Sequence, residues 1–111
     1  MKTIITTLII LTSFISFAQE KEVKKKEINF EVNGKCDMCK ERIEKALDIK
    51  GIKFAEWNTD TRMCKVVFDP RKITEDKIHQ TIADLGHDTD KLKASEASYN
   101  SLHGCCKYER K

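Results

Sequence analysis

The sequence predicts an α+β fold, a split βαβ sandwich with its helices on one face of an antiparallel sheet, and three observations carry that prediction. Apolar residues alternate at Ile28, Phe30 and Val32, the period of a half-buried strand. From Asp37 to about Lys50 they recur instead at helical spacing. Two β-rich runs joined by a turn cluster follow, and then a second helical stripe, which gives the order strand, helix, strand, strand, helix.

The elements follow in chain order. Residues 1–18 read as an export signal: one charge at Lys2, an apolar run from Ile4 to Phe17, and small Ser16 and Ala18 before a cleavage point after Ala18. The mature chain is then expected to be exported to a periplasm, with an uncleaved signal anchor as the alternative. Gln19 rather than a cysteine follows Ala18, so no lipid attachment site is present. Residues 19–27 are nearly all charged and read as a solvated linker.

Residues 28–94 hold the folded domain. Gly34-Lys35 breaks the first strand, and the first helix buries Cys39, Ile43, Ala46 and Leu47 before Gly51 ends it. Ile52–Trp57 and Arg62–Phe68 form a hairpin around Asn58-Thr59-Asp60-Thr61, with Asp69-Pro70 closing the second strand. Thr74 caps a second helix whose first turn holds Glu75 and Asp76, whose stripe is Ile78, Ile82 and Leu85, and whose end is Gly86. A last strand from His87 towards Leu92 has little strand character and is expected to be short or irregular. Residues 95–111 read as a short helical tail that leads into Cys105-Cys106.

Charge excludes one function class. Losing Lys2 with the leader takes the 21 basic residues to 20 against 18 acidic, a net charge of +2, with signs mixed along the chain. No basic block is interleaved with aromatics, so a nucleic-acid partner is not expected. The five cysteines, Cys36, Cys39, Cys64, Cys105 and Cys106, are an odd number with peculiar spacing for a disulfide framework. Adjacent Cys105 and Cys106 can bridge only through a strained ring.

Cys36-Asp37-Met38-Cys39 sits where a strand gives way to a helix, so its two thiols point the same way, and the helix N-terminus favours the thiolate. That chemistry suits a soft metal, a redox couple or a structural disulfide. Two sulfurs fit Cu(I) or Hg(II), whereas Zn(II) normally takes four ligands. Cys64 alternates with Val66 and Phe68 and points into the core. Trp57 and Phe54 read as packing residues and His79 as solvated. Asp37 and Lys40 read as solvated helix-start residues, with steering of an acidic partner by Lys40, Arg42 and Lys45 as a lesser possibility. Met38 reads as a core residue under the loop, with thioether ligation as the alternative.

A strand, a Gly-containing loop with Cys-x-x-Cys entering a helix, a hairpin and a Thr-capped helix ending in Gly together resemble the heavy-metal-associated domain, over about Ile28 to Leu92. That resemblance implies a ferredoxin-like βαββαβ fold, with Cys36 and Cys39 binding one soft ion on an exposed loop and passing it on by ligand exchange. Here the loop departs from Gly-Met-x-Cys-x-x-Cys: Gly34 lies two residues before Cys36, and the methionine is Met38. The run Gly34-x-Cys36-x-Met38-Cys39-Lys40, with Tyr99, Leu102, Cys105, Cys106 and Tyr108, is similar to exported small metal-binding proteins of Bacteroidetes-like bacteria.

In that family the residue after the second helix's glycine lies near the metal loop, so His87 is a candidate third ligand, although a surface histidine is its ordinary reading. Cys105 and Cys106, with His103, form a second constellation that can join the first, stand alone, form a vicinal disulfide or do nothing. The function implied is an exported metallochaperone, not an enzyme, carrying Cu(I), or else Hg(II), Zn(II) or Cd(II). Its expected partner is a metal-transporting membrane protein or efflux component, and its expected state a monomer or a metal-bridged dimer. The alternatives are a thiol-disulfide oxidoreductase and a heavy-metal-sequestering protein. No catalytic or organic-cofactor residue is expected.

Overall fold

The computed structural model describes residues 24–110, so the leader and most of the linker lie outside the described residues. Strands β1 (Lys26–Glu31), β2 (Ile52–Trp57) and β3 (Met63–Phe68) form one antiparallel sheet in the order β1-β3-β2. Register aligns Ile28 with Val66 and Ala55, and Phe30 with Cys64 and Trp57, so these rows form the inner face. Helices α1 (Asp37–Ala46) and α2 (Glu75–Asp84) cover that face. The core holds Phe30, Ile43, Leu47, Trp57, Phe68, Ile78 and Ile82, each nearly or wholly buried. Burying one such side chain contributes about 1.5–3 kcal/mol.

The caps of α2 follow the sequence, whereas α1 stops at Ala46, short of the Gly51 expected to end it. Thr74 Oγ1 accepts from the Lys77 amide at 3.1 Å, and Glu75 and Asp76 sit in the positive first turn of α2. Gly86 ends the helix at φ +107°, where a Cβ would stand 2.5 Å from the Ser98 carbonyl oxygen. The hairpin turns on Asn58, whose Oδ1 accepts from the amides of Asp60 and Thr61.

The expected last strand is reduced to one bridge between Val32 and Thr89, flanked by Asn33 N–H to Asp88 O and Asp90 N–H to Glu31 O. Beyond it come α3 (Glu96–Asn100), capped by Ser95, and a single 3₁₀ turn at Gly104–Cys106 that packs on α1.

Several readings are corrected. The first strand starts at Lys26, inside the stretch assigned to the linker. Phe54 is 46% exposed, because it stands three residues from Trp57 on a strand and so takes the opposite face, beside Val67. His79 is buried rather than solvated: Nδ1 lies 2.7 Å from Thr89 Oγ1, and the ring packs on Phe30. Leu85 is only half-buried. Lys40 is engaged rather than free, pairing with Glu44 and donating to the Trp57 carbonyl, while Glu44 accepts from the Trp57 amide.

Candidate metal centre

The centre is built at the junction of β1, the following loop and α1. Gly34 is buried against Trp57, where a Cβ would come within 2.9 Å of the indole Cη2 and 3.3 Å of Cys39 Cβ. The missing side chain lets the loop lie flat on the indole. Trp57 Nε1 donates to both Val32 O (3.0 Å) and Arg62 O (3.1 Å), tying the loop to the hairpin. Cys36 then takes the extended N-cap position, and its carbonyl accepts from the amides of Cys39 and Lys40.

Cys36 Sγ stands 3.7 Å from Cys39 Sγ and 3.9 Å from Cys106 Sγ, and the three sulfurs lie within 4.8 Å of one another. Cys39 and Cys106 are wholly buried, whereas Cys36 is half-buried and forms the open side. The tail therefore folds across the sandwich and delivers one of its two thiols. The other, Cys105, is exposed with its sulfur 3.5 Å from Met38 Sδ, and its main-chain carbonyl lies 3.4 Å from Cys36 Sγ. Met38 is 44% exposed and so is not the core residue expected, because the first turn of α1 turns it away from Cys39.

The thiols differ in acidity. The Cys39 amide, helped by the Cys39 sulfur and the Met38 amide, overrides partial burial and lowers Cys36 from 9.0 to about 7. Burial pushes Cys106 up, and Cys39 and Cys36 push the same way. Burial also holds Cys64 at about 12, and it stands apart from the three-sulfur group as an apolar core residue. At neutral pH the metal-free site thus has a Cys36 thiol poised about midway between its neutral and anionic forms, beside the neutral Cys106 thiol.

His87 and His103 lie outside the sulfur group. His87 is fully buried rather than a surface histidine, since the tail covers it. Its Nδ1–H donates to Asn33 O at 2.7 Å, its ring stacks on Tyr108 at 5.8 Å, and burial lowers its pKa. It braces the start of the metal loop from below. His103 is exposed, and its carbonyl accepts from the Cys106 amide at 2.8 Å.

The tail is held by residues that sequence reasoning left without a role. Tyr108 Oη accepts from the Asp88 amide and donates to Gly86 O, both at 2.8 Å. Arg110 makes two bonds to the Asp88 carboxylate and one to Ala94 O, and stacks over Tyr99, whose hydroxyl donates to Tyr108 O. The spacing of Leu102, Cys106 and Tyr108, all buried, was the available signal for the tail's inner face. The Asp88–Arg110 pair, 22 residues apart, had none.

Comparison with known proteins comes to the same region. Residues 29–88 match the family model described as the heavy-metal-associated domain. Among solved structures, a CopZ metallochaperone is 29% identical, with a TM-score of 0.56 over 58% of this chain and 98% of that one. Oxidized MerP from Ralstonia metallidurans CH34 is 25% identical, with a TM-score of 0.56 over 60% and 94%. The N-terminal soluble domains of Bacillus subtilis CopA are 35% identical, with a TM-score of 0.55 over 58% and 45%. No curated protein sequence matches the chain.

Proposed function

The chain belongs to the heavy-metal-associated domain family, a family of metal-binding and typically non-enzymatic domains, and from that premise we propose that it is an exported carrier of a soft cation, Cu(I) before others. Cys36 and Cys39 are its primary ligands, and a metal-transporting membrane protein is its partner. The observation that carries this reading is the pair of reduced thiols 3.7 Å apart at the start of α1, one of them half-open to solvent and acidic enough to ionise near neutrality. An ion held by so few ligands exchanges by direct attack of a partner's thiolate. Similarity to a CopZ metallochaperone supports a carrier, and similarity to the N-terminal domain of a potential copper-translocating P-type ATPase from Bacillus subtilis, in its Cu(I)-loaded state, supports copper as cargo and a pump as recipient. Hg(II) is the thiophilic rival, since two thiolates suit it as well.

Export rests on residues 1–18. Among the described residues no helix is long and apolar enough to cross a membrane. Expression with the leader should yield a secreted chain beginning at Gln19 by mass spectrometry, and a full-length membrane-bound chain would favour the anchor instead.

Competitive titration of the reduced chain tests the carrier reading. One Cu(I) per monomer is expected, lost in both Cys36→Ser and Cys39→Ser, with Zn(II) failing to compete. Unchanged binding in both variants would remove these residues as ligands.

A further inference from the structure

We propose that the C-terminal segment is a resident ligand: Cys106 completes a trigonal three-sulfur site with Cys36 and Cys39, and hand-over of the cargo begins when a partner's thiolate displaces Cys106. This inference rests on the carrier reading and specifies how that same site holds and releases its ion.

Sulfur spacing is the first ground. With metal–sulfur bonds of about 2.3 Å, two collinear sulfurs stand about 4.6 Å apart, and three trigonal ones about 4.0 Å apart. Cys36 lies 3.7 Å from Cys39 and 3.9 Å from Cys106, so both distances match the trigonal arrangement and fall well short of the linear one. The group of three is closed within 4.8 Å, so an ion at its centre reaches every sulfur with small side-chain adjustments.

Fixation of Cys106 is the second ground. Upstream, Leu102 is buried and the 3₁₀ turn is closed by the Cys106 amide on His103 O. Downstream, Tyr108 is pinned to Gly86 and Asp88, and Arg110 to Asp88 and Ala94. A buried cysteine is ordinarily a small apolar residue, and Cys64 is that case here. Cys106 differs in that its sulfur meets the metal pair, while its neighbour Cys105 turns out to solvent beside Met38. The tail therefore contributes one sulfur, chosen by the direction of the turn.

The exchange balances without any redox step. On loading, the thiols still protonated release their protons and the ion binds three thiolates. On release, a bond forms between the ion and the partner's first thiolate as the ion–Cys106 bond breaks; a second partner thiolate then displaces Cys36 and Cys39 in turn, and the freed sulfurs regain from solvent the protons lost on loading. The half-buried Cys36 side is where the partner approaches.

X-ray absorption of the reduced chain carrying one Cu(I), with the mass of the loaded species measured alongside, tests the proposal. Three sulfurs per copper are expected in the monomeric chain and in Cys105→Ser, and two in Cys106→Ser. Chelator competition should show Cys106→Ser weakened at least tenfold, and transfer to a two-thiol peptide should be at least tenfold faster. Two sulfurs in the unaltered monomer would overturn the proposal, a result that needs no variant to fold. So would a Cys106→Ser protein, folded by circular dichroism, with unchanged coordination and affinity. If Cys36→Ser and Cys39→Ser still lose copper in that event, the carrier reading stands alone; if they retain it, both readings fall.

Discussion

Cys36 owes its acidity first to the Cys39 amide, then to the Cys39 sulfur, the Met38 amide and the Cys105 sulfur gathered around it. Its pKa near 7 lies below the ordinary 9.0, so its thiolate contributes stability to the reduced fold that is complete above 9 and lost as pH falls through 7. Iodoacetamide labelling of the reduced, metal-free chain should show a Cys36 reaction half-maximal near pH 7, by peptide mass mapping. A midpoint near 9 would mean that the Cys39 amide does not reach the sulfur. This much was legible, because a thiol at a helix N-terminus is a local arrangement written in consecutive residues. His79 and His87 were misjudged for the complementary reason. Each is buried by a segment distant in sequence, and nothing adjacent to either histidine announces the cover.

Among the elements, the tail depends most on a few polar contacts. Tyr108→Phe keeps the ring but leaves the buried Asp88 amide and Gly86 carbonyl without the hydroxyl that serves both. The expected loss is about 2 kcal/mol in chemical denaturation. A change below about 0.5 kcal/mol would show that water replaces the hydroxyl freely. The helices and the hairpin could be read from periodicity and caps, since Thr74, Gly86 and the Asn58 turn act within a few residues of themselves. The reduced fourth edge was also foreseeable from the polarity of His87–Leu92. Alternation puts Phe54 and Trp57 on opposite faces, but which of the two turns inward was decided by register against β3.

Across the whole molecule, the Asp88–Arg110 pair joins the end of the sandwich to the tail that carries Cys106. Burial pushes the Asp88 carboxyl up, but the Arg110 bonds and the Ala94 amide outweigh it and hold it below the ordinary carboxylate value. That contribution is therefore complete above about pH 4 and is lost as acid takes the carboxylate through its lowered pKa. The Ala94 amide, which donates to Asp88 Oδ1 at 2.7 Å, should keep a constant hydrogen-exchange protection factor above pH 5 and lose it in stronger acid. Protection unchanged once the carboxylate is protonated would mean that the tail is held without the Asp88–Arg110 pair. The overall architecture was readable because the order of elements leaves few ways to pack them, whereas the path of the tail over the site depended on long-range pairs that no spacing rule links. Cys64 gives the molecule one more property. Sealed in the core near the start of β3 with a pKa of about 12, it reacts only in chains that have opened wholesale. Its modification rate under native conditions is thus a built-in stopwatch for global unfolding, readable on the unmutated chain whether or not metal occupies the other thiols.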